Sequence, residues 1–319
     1  MKRTIILFIL ILGFAANTCA EESSQSLKLY QVKPSITYGY THPRPFEFLE
    51  NVPEDLKFYV KDTFTKENLP AIAAVTALTL ILLPNDQKLL EKAQELGRDN
   101  NISQKDNTKT FWSIGKIPLY RGPTDTGSWL YYIGDGYTHL TIGAAFFTYG
   151  KLGGDERALR TSYALFEGIT CAAITTQLIK HVTGRESPDG STEAGGVWRF
   201  FPNQIKYAKH VSHYDAYPSG HLATATLTLT VISQNYPEYN YIVLPVGVTL
   251  LALVQLQMMN NGVHWASDYP LGFAIGYSFA KIAVRNNRVV VSGKAAANTI
   301  ELVPKLGKDY LGLELKCHI

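Results

Sequence analysis

From residue 68 onward the chain is written in long apolar blocks separated by proline, glycine and short polar stretches. The first block, "LPAIAAVTALTLILLP", is bounded by prolines and predicts an apolar helix. The next, "DQKLLEKAQELGRD", sets Leu89, Leu90, Ala93 and Leu96 on one side of an amphipathic helix. A polar segment, "NNISQKDNTKT", reads as a loop. Further helices are predicted over 137–149, 157–182, 221–234, 241–259 and 270–284, rich in Ala, Leu, Ile and Thr with Gly or Pro at their edges. Before residue 68 the pattern is mixed and aromatic. Pro34, Pro43, Pro45 and Pro53 there allow one short helix near 53–62, approached by an extended arm. At the other end, "RVVVSG" and "NTIELVPKLGKDYLGLELKC" alternate apolar and polar residues around Gly307-Lys308, which predicts one or two strands and a hairpin.

The opening "MKRTIILFILILGFAANTCAEE" changes the picture of where the chain works. Two basic residues, an apolar run and small residues at Thr18 and Ala20 are the layout of a secretory signal peptide cleaved after Ala20. The expected organisation is a signal peptide over 1–20, an N-terminal extension over 21–67, a helical domain over 68–285 and a strand-forming tail over 286–319. An exported protein of the periplasm or cell envelope follows. The segment 241–259 is long enough to cross a membrane but holds Pro245, Gln255 and Gln257, and the apolar run at 69–83 is short for a span. One large soluble or membrane-associated bundle therefore fits better than a multi-span protein. Without Lys2 and Arg3 the formal charge falls from +3 to +1, which gives no reason to expect a nucleic-acid partner. Cys171 and Cys317 are too few and too far apart for a disulfide framework, and Cys171 reads as a core packer. No His, Asp or Glu cluster has metal-ligand spacing, so neither a metal nor a cofactor is expected.

Three stretches carry candidate chemistry: "KHVTGRESPDG", "YPSGHLATATL" and "NNGVHWASDYP", each at a junction of helix and loop. Pro218-Ser219-Gly220-His221 opens a helix whose first amides, at Ser219, Gly220 and His221, suit an anion. Asp268 lies four residues beyond His264 and can reach back to its Nδ1–H, which would leave Nε2 free to attack. His221 is then the second group, the one that protonates a leaving oxygen. Lys180, at the end of its helix, supplies positive charge for phosphoryl oxygens.

These residues resemble the type 2 phosphatidic acid phosphatase and vanadium haloperoxidase superfamily. Its three ordered motifs are Lys, six residues, Arg-Pro; then Pro-Ser-Gly-His; then Ser-Arg, five residues, His, three residues, Asp. Lys180 and Pro188 match the first, residues 218–221 the second, and His264 and Asp268 the third, over roughly residues 130–285. The resemblance implies a mainly α fold, a helical bundle of the acid phosphatase/haloperoxidase type, here with a short C-terminal β hairpin. It also implies a metal-independent hydrolase or phosphotransferase with a phosphohistidine intermediate, acting on a phosphate monoester or diphosphate, small or lipid-linked. His264, His221 and Asp268 would be catalytic, and Lys180, Ser219 and Gly220 would bind substrate.

The match breaks at both arginines. Ser187 stands in the first motif, and Gln257-Met258 replaces the Ser-Arg pair of the third. Charge-assisted bonds to phosphate contribute roughly 1.5–3 kcal/mol each. Arg185, two residues from the vacant position, and Arg199, within the long insertion over 189–217, are the substrate-binding candidates to replace them. Lys206, Lys209, His210, His213, Asn260 and Asn261 are further nearby donors. Trp198, Phe200, Phe201, Tyr207, Tyr214 and Tyr217 make the insertion suited to cover an amphipathic substrate. The competing readings are a non-catalytic envelope protein that keeps the fold, and a haloperoxidase, ranked last because vanadate needs the arginine clamp.

Overall fold

A computed structural model describes residues 26–115, 117–292, 300–307 and 310–317. The expected signal peptide lies outside the described residues. Strands β1 (Lys28–Lys33) and β2 (Ile36–Tyr40) are followed by helices α1 (Glu47–Glu50), α2 (Val52–Thr63), α3 (Leu69–Leu82) and α4 (Asp86–Asp99). A hairpin, β3 (Thr108–Ile114) and β4 (Ile117–Pro123), leads into α5 (Thr126–Gly134), α6 (Gly136–Gly153) and α7 (Glu156–Thr183). Then come α8 (Gln204–Lys209), α9 (Gly220–Asn235), α10 (Asn240–Asn260), α11 (Tyr269–Asn287) and strands β5 (Val289–Ser292), β6 (Ile300–Gly307) and β7 (Tyr310–Cys317).

The fold is mainly α with few short strands, and β6 and β7 form the antiparallel C-terminal hairpin expected from their alternation. Short helices at Glu47–Glu50 and Gln204–Lys209 add to the sequence reading, and three larger departures bear on the architecture. The extended arm is two strands, because Val32, Ile36, Tyr38 and Tyr40 have a common apolar side to bury, and β5 pairs with β2 to complete the sheet. The polar loop after α4 runs into the β3–β4 hairpin, which turns at Gly115 with φ 56°. Helix α5 was unforeseen. It starts where Asp125 accepts the Ser128 amide at 2.8 Å, a cap that satisfies an otherwise orphaned donor.

The core is built on α7, α9 and α11. Leu165 and Ile169 of α7 meet Leu227 and Val231 of α9 and Ile275 and Phe279 of α11. Glycine sets how closely α11 lies on α9. A Cβ on Gly276 would stand 2.1 Å from the Ala223 carbonyl oxygen, and one on Gly272 2.5 Å from that of Ser219. This approach locks the start of α9 to the start of α11, the two places where the motif residues sit. Cys171 is a buried free thiol in the same core, as expected from its apolar setting.

Away from those helix starts, a polar cage ties the N-terminal segment down. Arg160 donates to the Thr41 carbonyl at 2.8 Å and to Glu47 at 2.9 Å. Glu167, fully buried in α7, accepts amide hydrogens from Asn51 and Asn286 at 2.8 Å and from Asn287 at 3.2 Å. Burial, with the neighbouring Asp55 carboxyl adding to it, pushes the Glu167 acid up to about 8 despite those donors.

Candidate active site

Three elements converge at one end of the bundle. Helix α7 ends in Lys180 one turn before its Gly184 cap, α9 begins with His221, and the loop after α10 delivers His264 and Asp268. Ser219 caps α9 by accepting the Leu222 amide at 3.3 Å. Its own amide donates to the Asp268 carbonyl at 3.0 Å, so the Ser219 N–H expected to face an anion is already engaged. Gly220 faces Lys180: a Cβ there would lie 4.0 Å from the ammonium nitrogen.

The two imidazoles meet directly, with His221 Nδ1 3.1 Å from His264 Nε2. Their protons follow from a third group. His264 Nδ1 lies 2.8 Å from the Ala216 carbonyl, which can only accept, so that nitrogen carries the hydrogen. Nε2 is then the lone-pair nitrogen, and His221 Nδ1 must be the donor between the rings. Asp268 is not the group that holds this tautomer, contrary to the sequence expectation. Its Oδ2 is 3.6 Å from His264 Nδ1, beyond a good hydrogen bond, and instead accepts the Trp265 amide at 2.7 Å. Asp268 thereby shapes the loop that carries His264.

Electrostatics keeps the site's imidazole neutral and its carboxylate charged. Burial holds His221 well below its ordinary pKa, and His264, Lys180 and His139 add to the effect. For Asp268, burial favours the neutral acid but is outweighed by Arg185, His264 and the Trp265 amide, which hold the carboxyl below its usual value. Lys180 is buried and bonded to Asp215 at 3.0 Å, and Asp215 also accepts the Tyr207 hydroxyl. Its positive charge is at the site, with a counterion already beside it.

The arginines expected to replace the missing pair do other work. Arg185 is fully buried and donates to Ser267 at 2.7 Å, Asp268 at 2.5 Å, Asp86 at 2.6 Å and the Gly195 carbonyl at 2.9 Å. It is a strut beneath the loop of residues 264–268, with no donor left over for phosphate on those two nitrogens. Arg199 pairs with the buried Glu186 at 2.6 Å. Burial would raise that carboxyl, but the Thr192 and Val197 amides and Arg199 bring it down to about 2. Asn260 donates to the Ser103 carbonyl at 3.2 Å, and Asn261 accepts from Gln257, so neither turns to the imidazoles. Met258 puts its methyl 3.3 Å from where a Gly134 Cβ would be, and His221 Cβ is 3.6 Å from the same point. A thioether thus packs near His221, on the residue that stands where the resemblance would have an arginine.

Two residues of the site escaped the sequence reading. Tyr131 of α5 lies edge-on to His221, ring centres 5.5 Å apart. His139 of α6 is buried, and it adds to the field that keeps His221 neutral. Burial lowers its pKa to about 4. Both belong to helices whose apolar sequence gives no hint of a polar neighbour; only Asp135, which caps α6 through the Tyr137 amide at 2.7 Å, marks that junction. Among the described residues, no group of three or more His, Cys, Asp or Glu side chains is placed to hold a metal ion.

Two histidines in contact beside a buried lysine, where α7 ends and α9 begins, form the candidate site. Residues 162–289 match the family model of the PAP2 superfamily, which bears out the resemblance over the segment holding Lys180, His221, His264 and Asp268. Among solved structures, the chain is similar to a transmembrane PAP2-type phosphatidylglycerolphosphate phosphatase from Bacillus subtilis. Identity is 15%, over 66% of this chain and 92% of that one, with a TM-score of 0.39, too loose a likeness to carry further argument. No curated protein matches the chain.

Proposed function

We propose that the protein is a cell-envelope phosphatase that transfers a phosphoryl group through His264, without a metal, and acts on a lipid-borne phosphate monoester or diphosphate. The observation that carries this reading is the direct His221–His264 contact with the tautomers it requires. The Nε2 lone pair of His264 is the nucleophile. It attacks phosphorus, the bond to the leaving oxygen breaks, and His221, an imidazolium once the phosphate dianion is bound, gives that oxygen its Nδ1 proton and becomes neutral. Water then attacks the phosphohistidine while His221 takes a proton from it, releasing inorganic phosphate and restoring the free imidazole.

At 3.1 Å the rings are too close to hold a phosphorus atom between them, since attacking atoms start about 3–3.5 Å from their target. Substrate must therefore part them and take over the His221 hydrogen bond. A phosphate dianion beside His221 favours its protonated form, which offsets the burial that keeps it neutral in the empty site. Lys180 and the Gly220 and His221 amides balance the remaining charge. Leu69–Asp99 and Pro237–Asn260 each hold an 18-residue apolar window that is largely unburied, which supports association with a membrane.

The test is phosphate release by the full chain from lipid phosphates, isoprenyl diphosphates and a small chromogenic monoester, beside a His264→Ala control. Release that the substitution abolishes supports the proposal. Equal background from both proteins on every substrate favours the second reading, a non-catalytic member of the fold, which draws on Met258 and on the structural use of Arg185.

A further inference from the structure

An apolar surface runs from the side of α7 to the rim of the site. Ile174, Leu178 and Val182 recur every four residues on α7, so they form one stripe, and all three are exposed, Leu178 by 63%. The stripe continues into the insertion, where the Phe201 amide donates to the Val182 carbonyl at 2.7 Å. Phe200 and Phe201 are 64% and 76% exposed, and Ile205 of α8 is 68% exposed. Phe201 has φ 53°, a left-handed conformation that costs a bulky residue energy. That conformation is adopted while the ring lies mostly in solvent.

The presentation is braced. Phe200 stacks on Trp198, ring centres 6.0 Å apart. Trp198 in turn lies 4.8 Å over the guanidinium of buried Arg185 and 5.0 Å from Tyr217, the residue just before Pro218-Ser219-Gly220-His221. Next to the apolar tip stand Lys206, Lys209 and His210, all exposed. Apolar side chains beside a basic rim complement one kind of surface, an anionic lipid leaflet: the rings enter the acyl region and the lysines meet the headgroups.

We propose that the tip of the insertion, Phe200, Phe201 and Ile205 with the α7 stripe, is an anchor that dips into an anionic membrane and sets the mouth of the site at headgroup level. The proposal rests on the lipid-phosphate reading for its purpose, and on exposure, strain and charge for its placement.

The test uses the full chain with Phe201→Cys as its only cysteine, the native ones replaced by alanine, and an environment-sensitive fluorophore attached. It is reconstituted with vesicles of phosphatidylcholine, alone or mixed with phosphatidylglycerol, and compared with the same label at Lys209→Cys. Brominated acyl chains should quench the label at 201 about threefold more than that at 209, aqueous iodide should do the reverse, and phosphatidylglycerol should enlarge the difference. Equal iodide quenching at both positions in both vesicles overturns the proposal. So does quenching that varies with protein concentration, which would put a second copy on the patch. In the second arm, the Phe200→Ser, Phe201→Gly variant should keep its melting temperature, because glycine suits a positive φ. It should release phosphate from vesicle-borne substrate about tenfold more slowly, with the soluble monoester unaffected. Loss of monoester turnover in the parent would instead count against the phosphatase reading and leave the quenching result standing.

Discussion

Replacing Arg185 by leucine tests whether this arginine is a phosphate ligand, as its place in the sequence suggests, or a strut, as its contacts show. The substitution removes hydrogen bonds to Ser267, Asp268, Asp86 and the Gly195 carbonyl and leaves two carboxylates of zero exposure without their cation. Removing one partner of a buried ion pair costs about 3–5 kcal/mol. Asp86 keeps bonds from the Ser267 amide and hydroxyl, and Asp268 keeps the Trp265 amide, so the loss should fall near that range rather than at twice its value. Against a total of about 5–15 kcal/mol, a drop of that size is readily measured by urea unfolding. The pH dependence carries a sign. In the parent, Asp268 is held below its ordinary pKa, so its contribution is present at neutral pH and is lost as acid protonates it. In the variant burial is opposed only by His264 and the Trp265 amide, so the carboxyl rises, and acidification toward pH 4 should narrow the gap between variant and parent. A variant that unfolds within about 1 kcal/mol of the parent while its KM rises steeply would refute the strut and restore Arg185 to the substrate.

Glu167, raised to about 8, favours folding below its ordinary pKa and loses that contribution as pH rises toward 8; Glu167→Gln should therefore flatten the fall in melting temperature between pH 6 and pH 9. His139, lowered to about 4 by burial, works in the other direction, since the unfolded chain takes up a proton first. His139→Leu should recover about 2 kcal/mol of the stability lost between pH 7 and pH 5, read from unfolding at the two pH values. Gly276→Ala brings a Cβ against the Ala223 backbone at 2.1 Å, so it should cost about 2 kcal/mol or more and lower turnover by displacing the start of α9. Unchanged unfolding and turnover would mean that the α9–α11 approach is not what sets the histidines.

Much of the helical architecture was legible because apolar periodicity and edge residues are local signals. The prediction of 157–182 differs from α7 by one residue at each end, where Asp155 and Gly184 cap it. The same logic located α3, α4, α9 and α10. It failed at β1, β2 and α5, which are short and take their stability from partners distant in the chain. Ordered motifs at helix ends singled out His221 and His264, and the fold brings the two rings together. The motifs could not say what Asp268 would bond to. Sequence spacing allows an i, i+4 contact, but the Ala216 carbonyl, 48 residues away, fills the position instead.

By itself, the chain's order of residues determined the helices, their caps, the imidazoles at the helix starts and the lack of arginine at 187 and 258, since each depends on neighbours within a few turns. Tertiary structure decided which groups meet. It brings His221 to His264, spends Arg185 on Asp86 and Asp268, gives Lys180 a counterion in Asp215, and sets His139 and Tyr131 near the pair. Those outcomes turn on how closely α9 and α11 pack and on where the insertion folds back, long-range distances that no local pattern of residues encodes.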